Sequence, residues 1–251
     1  MTEVVAVANQ KGGVAKTTTV HSLGAALAER RRRVLLVDLD PQACLTYSTG
    51  TDPDGLERSL HDVLVGGAAA DDVLIELDDV HLLPATIDMA GAEVHLLTRP
   101  GREYALQRAL APLLDRYDWV LIDCPPSLGI LTINGLTAAR RVLIPLQCDT
   151  LGHRGVGQLL ETIADVRSYT NPGLEVLGAV ATMYDPRTLL AQSTLADVSA
   201  TYGLRVLQPP IPRSVRVAEA PRRGCSVLGH APRSASAEAY RALAVALSRR
   251  R

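Results

Sequence analysis

The chain has 251 residues, 47% of them apolar, and a formal net charge of −1 at pH 7. This composition is typical of a folded domain with a buried core, and the apolar runs are shorter than the roughly 18 residues of a membrane-spanning helix. The N-terminus lacks the features of a signal peptide, and the four cysteines form no Cys-x-x-Cys pair, so we expect a cytoplasmic protein without a disulfide framework or a zinc site.

Predicted strands and helices alternate along the whole chain. Short apolar, β-branched runs predict strands at 3–8, 34–37, 80–84, 119–122, 142–146, 176–182 and 205–207. Apolar residues at helical spacing predict helices at 16–30, 59–65, 104–114, 157–166, 189–200 and 236–247. The alternation is typical of an α/β fold with a doubly wound, mostly parallel sheet and helices on both faces, and we expect a single domain over residues 1–251.

A glycine-rich loop follows the first strand and opens the first helix. Its sequence is Lys11-Gly12-Gly13-Val14-Ala15-Lys16-Thr17-Thr18. Glycines let backbone N–H groups turn around an anion, and the helix N-terminus adds a partial positive charge. We therefore predict that the loop binds the phosphates of ATP or ADP. Lys16 would reach the β- and γ-phosphates, Thr17 would ligate Mg²⁺, and Thr18 would contact the α-phosphate.

The two lysines of this loop are the only lysines in the chain. The other basic residues, apart from histidine, are arginines, including the run 30–33. An ammonium group is a compact point charge, whereas a guanidinium is a planar fork. This bias indicates that arginine cannot replace lysine at positions 11 and 16.

Carboxylates follow two of the predicted strands. Asp38 and Asp40 come at the end of the second strand, and Asp123 closes the strand at 119–122. Ligands of open α/β sheets bind at the carboxyl ends of the strands. One site can therefore collect these carboxylates together with the glycine-rich loop.

The loop resembles the deviant Walker A motif, Lys-Gly-Gly-x-Gly-Lys-Thr-Thr, of the ParA/MinD superfamily. Further segments, in family order and spacing, resemble ParA/Soj-type chromosome- and plasmid-partitioning ATPases. These segments are Asn9-Gln10, Val37-Asp38-Leu39-Asp40-Pro41-Gln42, Ile122-Asp123-Cys124-Pro125-Pro126-Ser127, Ile211-Pro212-Arg213-Ser214-Val215-Arg216 and Glu219-Ala220-Pro221. The resemblance implies the P-loop NTPase fold and a slow, Mg²⁺-dependent ATPase that forms a homodimer when ATP is bound.

The resemblance also implies roles for individual residues. Lys11 is expected to cross the dimer interface to the partner subunit's nucleotide, and Asp40 to orient the attacking water, so Lys11, Lys16 and Asp40 form the catalytic set. Asp123 matches the Walker B aspartate that holds Mg²⁺ through its water shell. The remaining implied residues are Asp38 as a neighbour of the metal, Pro212 and Ser214 beside the adenine, and Met183, which either packs on the base or belongs to the core.

Basic residues concentrate at the C-terminal end. Residues 201–251 hold ten arginines against Glu219 and Glu238. By the resemblance, the ATP-bound dimer binds double-stranded DNA without sequence preference, through counterion release at arginines, and associates with the nucleoid. Arg187 and Arg216 lie where such arginines fall in the family. A ParB-like activator protein is the second implied partner. A solvated arginine-rich surface is the alternative explanation of the charge.

Three alternatives to a partitioning ATPase stay open. Ala15 stands where the family has glycine and costs about 1–2 kcal/mol if that position needs a positive φ, which leaves a nucleotide-sensing module with little hydrolysis. A MinD-like membrane-cycling ATPase needs a C-terminal amphipathic helix free to lie on lipid. The final helix here lacks Phe and Trp, so we expect no stable membrane association. A metal-cluster carrier needs paired cysteines at a subunit interface, and Cys124 has no partner in the sequence pattern.

Overall fold

The computed structural model describes residues 2–148 and 154–249. Within these ranges eight strands form one sheet in the order β3-β4-β2-β5-β1-β6-β7-β8. The strands are β1 Glu3–Val7, β2 Val34–Asp38, β3 Ile75–Glu76, β4 His81–Leu83, β5 Trp119–Asp123, β6 Arg141–Gln147, β7 Glu175–Thr182 and β8 Val206–Leu207. Strand β3 runs antiparallel to β4, and the other neighbours are parallel.

Helices cover both faces of this sheet. They are α1 Lys16–Ala28, α2 Cys44–Ser48, α3 Leu60–Leu64, α4 Met89–Leu97, α5 Ala105–Leu110, α6 Ile130–Ala138, α7 Arg154–Tyr169, α8 Leu189–Tyr202, α9 Val215–Glu219, α10 Val227–His230 and α11 Ala235–Ser248. The predicted doubly wound, mostly parallel α/β fold is confirmed.

Alternate residues of the central strand β1 supply two separate cores. Val5 and Val7 belong to the core that contains residues of α1 and α11. Val4 and Ala6 belong to the core that contains residues of α6 and α7. Because both faces of β1 are covered, residues 4–7 of the strand are all apolar, as is usual in parallel strands buried on two sides. The glycine-rich loop therefore starts from a strand that is buried along its whole length.

Some elements were not predicted: β3, α2, α4, α6, α9 and α10. The two residues of β3 are too few to show a period. Nearly all of α6 is buried, so it lacks the polar stripe by which an amphipathic helix is recognised. The predicted helix at 104–114 is α5 followed by a 3₁₀ turn at Ala111–Arg116, where Pro112 removes a backbone donor.

The C-terminal helix α11 packs on α1. Tyr240, Leu243 and Leu247 are buried, and the hydroxyl groups of Tyr240 and Thr19 lie 3.3 Å apart. The apolar face that a lipid-binding helix would present is thus part of the core. In the described part of the chain, none of the helices combines the length and apolarity needed to span a bilayer.

Candidate functional site

The glycine-rich loop is held by hydrogen bonds to two strands that are distant in sequence, β6 and β7. The buried side chain of Asn9 donates from Nδ2 to the carbonyl of Pro145 in β6 (2.7 Å) and accepts from the backbone N–H of Lys11 (3.0 Å). The Thr182 hydroxyl, at the end of β7, donates to the carbonyl of Val14 (3.0 Å). Thr182 was not among the predicted site residues. These contacts fix the path of the loop before any ligand binds.

The N-cap residue of α1 supplies no side-chain cap. Ala15 is the N-cap residue and makes no side-chain hydrogen bond, and the first turn contains no acidic residue. The first N–H groups of a helix lack intrahelical partners and carry partial positive charge. An anion at this end is therefore favoured, as the loop sequence predicts.

Two loop residues have the left-handed conformation. Gly13 has φ 74°, and Ala15 has φ 64° and ψ 36°. A glycine adopts this region freely, whereas an alanine loses about 1–2 kcal/mol there through contact of its Cβ with the backbone. The position that departs from the family pattern is thus one where the backbone favours glycine.

Replacing Ala15 with glycine is expected to stabilise the protein. Relief of the left-handed strain exceeds the extra chain entropy that glycine loses on folding, so the free energy of unfolding should rise by about 0.5–1 kcal/mol. Urea denaturation measures this change. The matched control is Ala25→Gly, inside α1. Its free energy of unfolding should fall by about the same amount. A loss of stability in Ala15→Gly would show that the loop does not store strain at this position.

Lys16 is the first residue of α1 and is 7% exposed. Its Nζ donates to the carbonyl of Lys11 (3.2 Å). Burial lowers the pKa of Lys16, and the negative charges of nearby groups, Asp123 foremost, act in the opposite direction. A partly desolvated ammonium interacts strongly with a phosphate because little water has to be displaced.

Thr17 and Asp123 form the predicted metal side of the site. The Thr17 hydroxyl donates to Oδ2 of Asp123 (2.6 Å). Oδ1 of Asp123 is buried and, over the residues that the structure describes, accepts no hydrogen bond. Mg²⁺ prefers hard oxygen ligands and in nucleotide sites takes one or two from the protein. A buried carboxylate oxygen that accepts no hydrogen bond from the described residues, beside a hydroxyl, is therefore suited to be a ligand of Mg²⁺. The described ranges contain no cluster of three or more His, Cys, Asp or Glu suited to a metal.

Asp38 and Asp123 are register partners on adjacent strands β2 and β5. Burial raises the pKa of Asp38 to about 6, and burial together with the charge of Asp38 raises the pKa of Asp123. Two buried carboxylates so close disfavour each other's ionised form, and a divalent cation beside Asp123 would relieve this. The role of Asp38 as a neighbour of the metal stays a prediction.

Asp40 lines the same cavity as the loop and is 9% exposed. Its backbone N–H donates to Oδ1 of Asp38 (3.1 Å), and its own Oδ1 accepts from the backbone N–H of Gln42 (3.0 Å). The carboxylate predicted to orient water is therefore held by bonds on both its backbone and its side chain.

A cavity of about 1080 Å³ joins the loop to the predicted adenine residues. The predicted residues that line it are Gly12, Gly13, Ala15, Lys16, Thr17, Thr18, Asp40, Met183, Pro212 and Ser214. Met183 is half-buried and faces this cavity, rather than lying in either core. Ligand sites are typically concave and of this general size. Asp38 and Asp123 lie buried behind the loop.

The two predicted DNA-contacting arginines are exposed. Arg187 follows β7, and Arg216 belongs to α9. The segments that carry them are joined by backbone hydrogen bonds, from Tyr184 N to the Ile211 carbonyl (2.9 Å) and from Arg213 N to the Tyr184 carbonyl (3.1 Å). These two hydrogen bonds lie beside the predicted adenine end of the cavity.

Arg216 takes part in a small surface cluster. Its Nη1 donates to Oε2 of Glu219 (3.0 Å), and the same oxygen lies 3.1 Å from Nε2 of His230. The hydrogen bonds from His230 and then from Arg216 lower the pKa of Glu219. The Glu219 carboxylate thus pairs with the Arg216 guanidinium, the group that would otherwise bind a DNA phosphate.

Comparison with known proteins agrees with this geometry. A family model described as an AAA domain matches residues 2–176. The sporulation initiation inhibitor protein Soj of Bacillus subtilis is 43% identical over 97% of this chain and 97% of its own length. The chromosome partitioning protein ParA of Caulobacter vibrioides is 44% identical over 96% and 92%. A solved structure described as cobyrinic acid a,c-diamide synthase from Mycobacterium smegmatis, with bound ADP and magnesium, has 58% identity and a TM-score of 0.89, covering 99% of this chain and 95% of that one.

Proposed function

This chain belongs to the ParA/Soj-type P-loop ATPases, and from that premise we propose that its ATP-bound dimer binds DNA without sequence preference and acts in DNA segregation. The chain is an ATPase whose ligands are ATP, ADP and Mg²⁺. A ParB-like activator and association with the nucleoid are part of the same proposal.

The proposed assignment of the site takes the roles that the family resemblance implies and is supported by the contacts described above. Residues 11–18 hold the phosphates, Thr17 and Asp123 hold Mg²⁺, and Met183, Pro212 and Ser214 hold the adenine. Asp40 orients the water that attacks the terminal phosphate. Mg²⁺ supplies charge neutralisation when bound, while the chain's own residues position the reactants and exclude bulk water.

Dimerisation is proposed to depend on Lys11. Two nucleotides facing each other across an interface repel unless cations from both subunits lie between them. The backbone of Lys11 is held by bonds to Asn9 and Lys16, directly before Gly12 and Gly13, which line the cavity. ATP binding would thereby favour the dimer, and the dimer would double the DNA-binding surface.

One observation carries the DNA-binding proposal: the segments bearing Arg187 and Arg216 are joined to each other at the adenine end of the cavity. Arginines on one surface add their contacts to DNA phosphates, and each contact releases counterions. Because the same segments contribute Met183, Pro212 and Ser214 to the cavity, the nucleotide and the arginines share one structural unit.

A titration of unrelated double-stranded DNA sequences tests this proposal. The protein is assayed by mobility shift with ATP, with ADP and without nucleotide, each at several salt concentrations. We expect sequence-independent binding with ATP that weakens steeply with salt, and little binding in the other two conditions. Equal DNA affinity in all three conditions would refute an ATP-dependent DNA-binding dimer.

Two substitutions in the Arg216 cluster are expected to change DNA affinity in opposite directions. Arg216→Ala should weaken binding about tenfold at low salt and reduce the slope of log affinity against log salt by about one for each subunit. Glu219→Gln should tighten binding, because Arg216 loses the carboxylate that competes with DNA phosphates. Fluorescence anisotropy over a salt series measures both effects.

The matched control for this cluster is Arg116→Ala. Arg116 also forms an exposed ion pair, with Asp71, but precedes β5 and so lies at the amino edge of the sheet, opposite the nucleotide cavity. Its replacement should leave DNA affinity unchanged. If Arg116→Ala and Arg216→Ala weaken binding equally, the effect is general electrostatic attraction and Arg216 has no specific role.

A second candidate function comes from the name of the Mycobacterium smegmatis structure, a synthase that would join ATP cleavage to amidation of a corrinoid acid. The two functions differ in what accelerates ATP turnover. Stimulation by cobyrinic acid with an amide donor, and not by DNA with a partner protein, would support the synthase. Stimulation only by DNA and partner would support partitioning.

A further inference from the structure

The carboxylate of Asp38 holds the backbone of Asp40. Asp38 is buried at the end of β2, and its Oδ1 accepts from the N–H of Asp40 (3.1 Å). Its Oδ2 accepts from both the backbone N–H and the hydroxyl of Thr46, each at 2.8 Å. Asp38 therefore connects the residue proposed to orient water to helix α2.

The hydroxyl of Thr46 extends this connection to another strand. Besides donating to Asp38, Thr46 Oγ1 accepts from the backbone N–H of Ala85 (2.9 Å), which lies just beyond β4. Thr46 is fully buried, so water cannot replace either bond. The Asp38–Thr46–Ala85 bridge, defined by the three hydrogen bonds among these residues, ties β2, α2 and the end of β4 together, and Asp40 bonds to it through Asp38.

We propose that Thr46 is a positioning residue for ATP hydrolysis, which sets the orientation of Asp40 through Asp38. The inference rests on the proposed role of Asp40 as the residue that orients the attacking water. Thr46 is six residues from Asp40, is fully buried and does not line the cavity, so it would act without touching the nucleotide.

The position requires a hydroxyl and not only a side chain of this shape. Valine has nearly the same volume and branching as threonine but neither donates nor accepts. In Thr46→Val, Asp38 would lose one of its three donors, and the buried N–H of Ala85 would lose its acceptor. Serine keeps both bonds and removes only a methyl group.

Steady-state ATP turnover of the full chain tests the proposal. Thr46→Val should lower kcat about tenfold to a hundredfold, as small displacements of a positioned group do, with KM and ADP affinity changed less than about twofold. Thr46→Ser should restore kcat to within about threefold of the original chain. Calorimetry with ADP and Mg²⁺ measures binding separately from turnover.

Thr137→Val is the matched control for a buried hydroxyl. Thr137 is 1% exposed, and its hydroxyl lies 2.9 Å from that of Thr170, in a part of α6 that does not line the nucleotide cavity. It should lose stability like Thr46→Val but keep its kcat. If Thr46→Val does not fold, Thr46→Ala takes its place under the same criteria.

The outcomes separate this inference from the proposed role of Asp40. Turnover by Thr46→Val near the original rate, while Asp40→Ala is inactive, would overturn the role of Thr46 alone. Full turnover by Asp40→Ala would refute both. A parallel loss of kcat and ADP affinity in Thr46→Val, or failure of Thr46→Ser to recover, would show a structural role and contradict the inference.

Discussion

Lys16→Ala is expected to weaken nucleotide binding strongly while leaving the fold intact. The buried ammonium of Lys16 is the charged donor that the loop offers to the β- and γ-phosphates, and charge-assisted hydrogen bonds of this kind contribute about 1.5–3 kcal/mol each. Loss of the charge should weaken ADP binding about a hundredfold or more. Thermal stability should change little, because the variant loses the desolvation cost of the buried ammonium together with its attraction to Asp123. Calorimetry with ADP and Mg²⁺, alongside thermal melting, measures both effects.

Two further variants show what position 16 requires. Lys16→Arg keeps the charge but replaces a compact ammonium by a planar guanidinium on a side chain that is 7% exposed, and it should also fail to bind. Lys11→Ala should bind ADP normally but no longer dimerise with ATP, as light scattering would show. If Lys16→Ala bound ADP within about tenfold of the original chain, the assignment of residues 11–18 as the phosphate site would be wrong.

Asp40→Ala is expected to stop hydrolysis without stopping ATP binding. A residue that orients or deprotonates the attacking group contributes about a hundredfold to ten-thousandfold to the rate. The backbone bond from Asp40 to Asp38 does not involve the side chain and should persist in the variant. Single-turnover release of phosphate should therefore be lost, while ATP affinity is kept.

The same variant should prolong the DNA-bound state. If hydrolysis ends the life of the ATP dimer, Asp40→Ala with ATP should dissociate from DNA more slowly than the original chain, in a competition assay. Asp197→Ala, at an exposed position on α8, is the control and should behave as the original. A variant that hydrolyses ATP at the normal rate would remove Asp40 from the mechanism.

The core of the candidate site was predictable because its signals are local. Residues 11–18 are contiguous, and their glycines, lysines and threonines lie between a strand and a helix that the hydrophobic pattern shows. Asp38 and Asp123 end strands of strong apolar character, so their meeting at one edge follows from a parallel sheet. The structure places them as register partners.

Other residues of the site gave no such signal. Asn9 bonds to Pro145 across 136 residues, and Thr182 bonds to Val14 across 168. Thr46 lies on a five-residue helix that is too short to show a period. A buried threonine looks the same in a sequence whether it supports a site or fills a core, since only its partners distinguish the two.

The amino-acid sequence alone predicted a loop for phosphates, a hydroxyl and carboxylates for a metal, and the type of fold that brings them together. These follow from backbone freedom, charge and hydrophobic period, which are properties of short segments. Only the tertiary structure shows which groups bond to the loop and that the backbone of Ala15 is left-handed. It likewise shows that Asp38 bonds to both Asp40 and Thr46, and that Glu219 pairs with Arg216. Those contacts depend on the register and order of eight strands, which join residues far apart in the chain through bonds that no local pattern encodes.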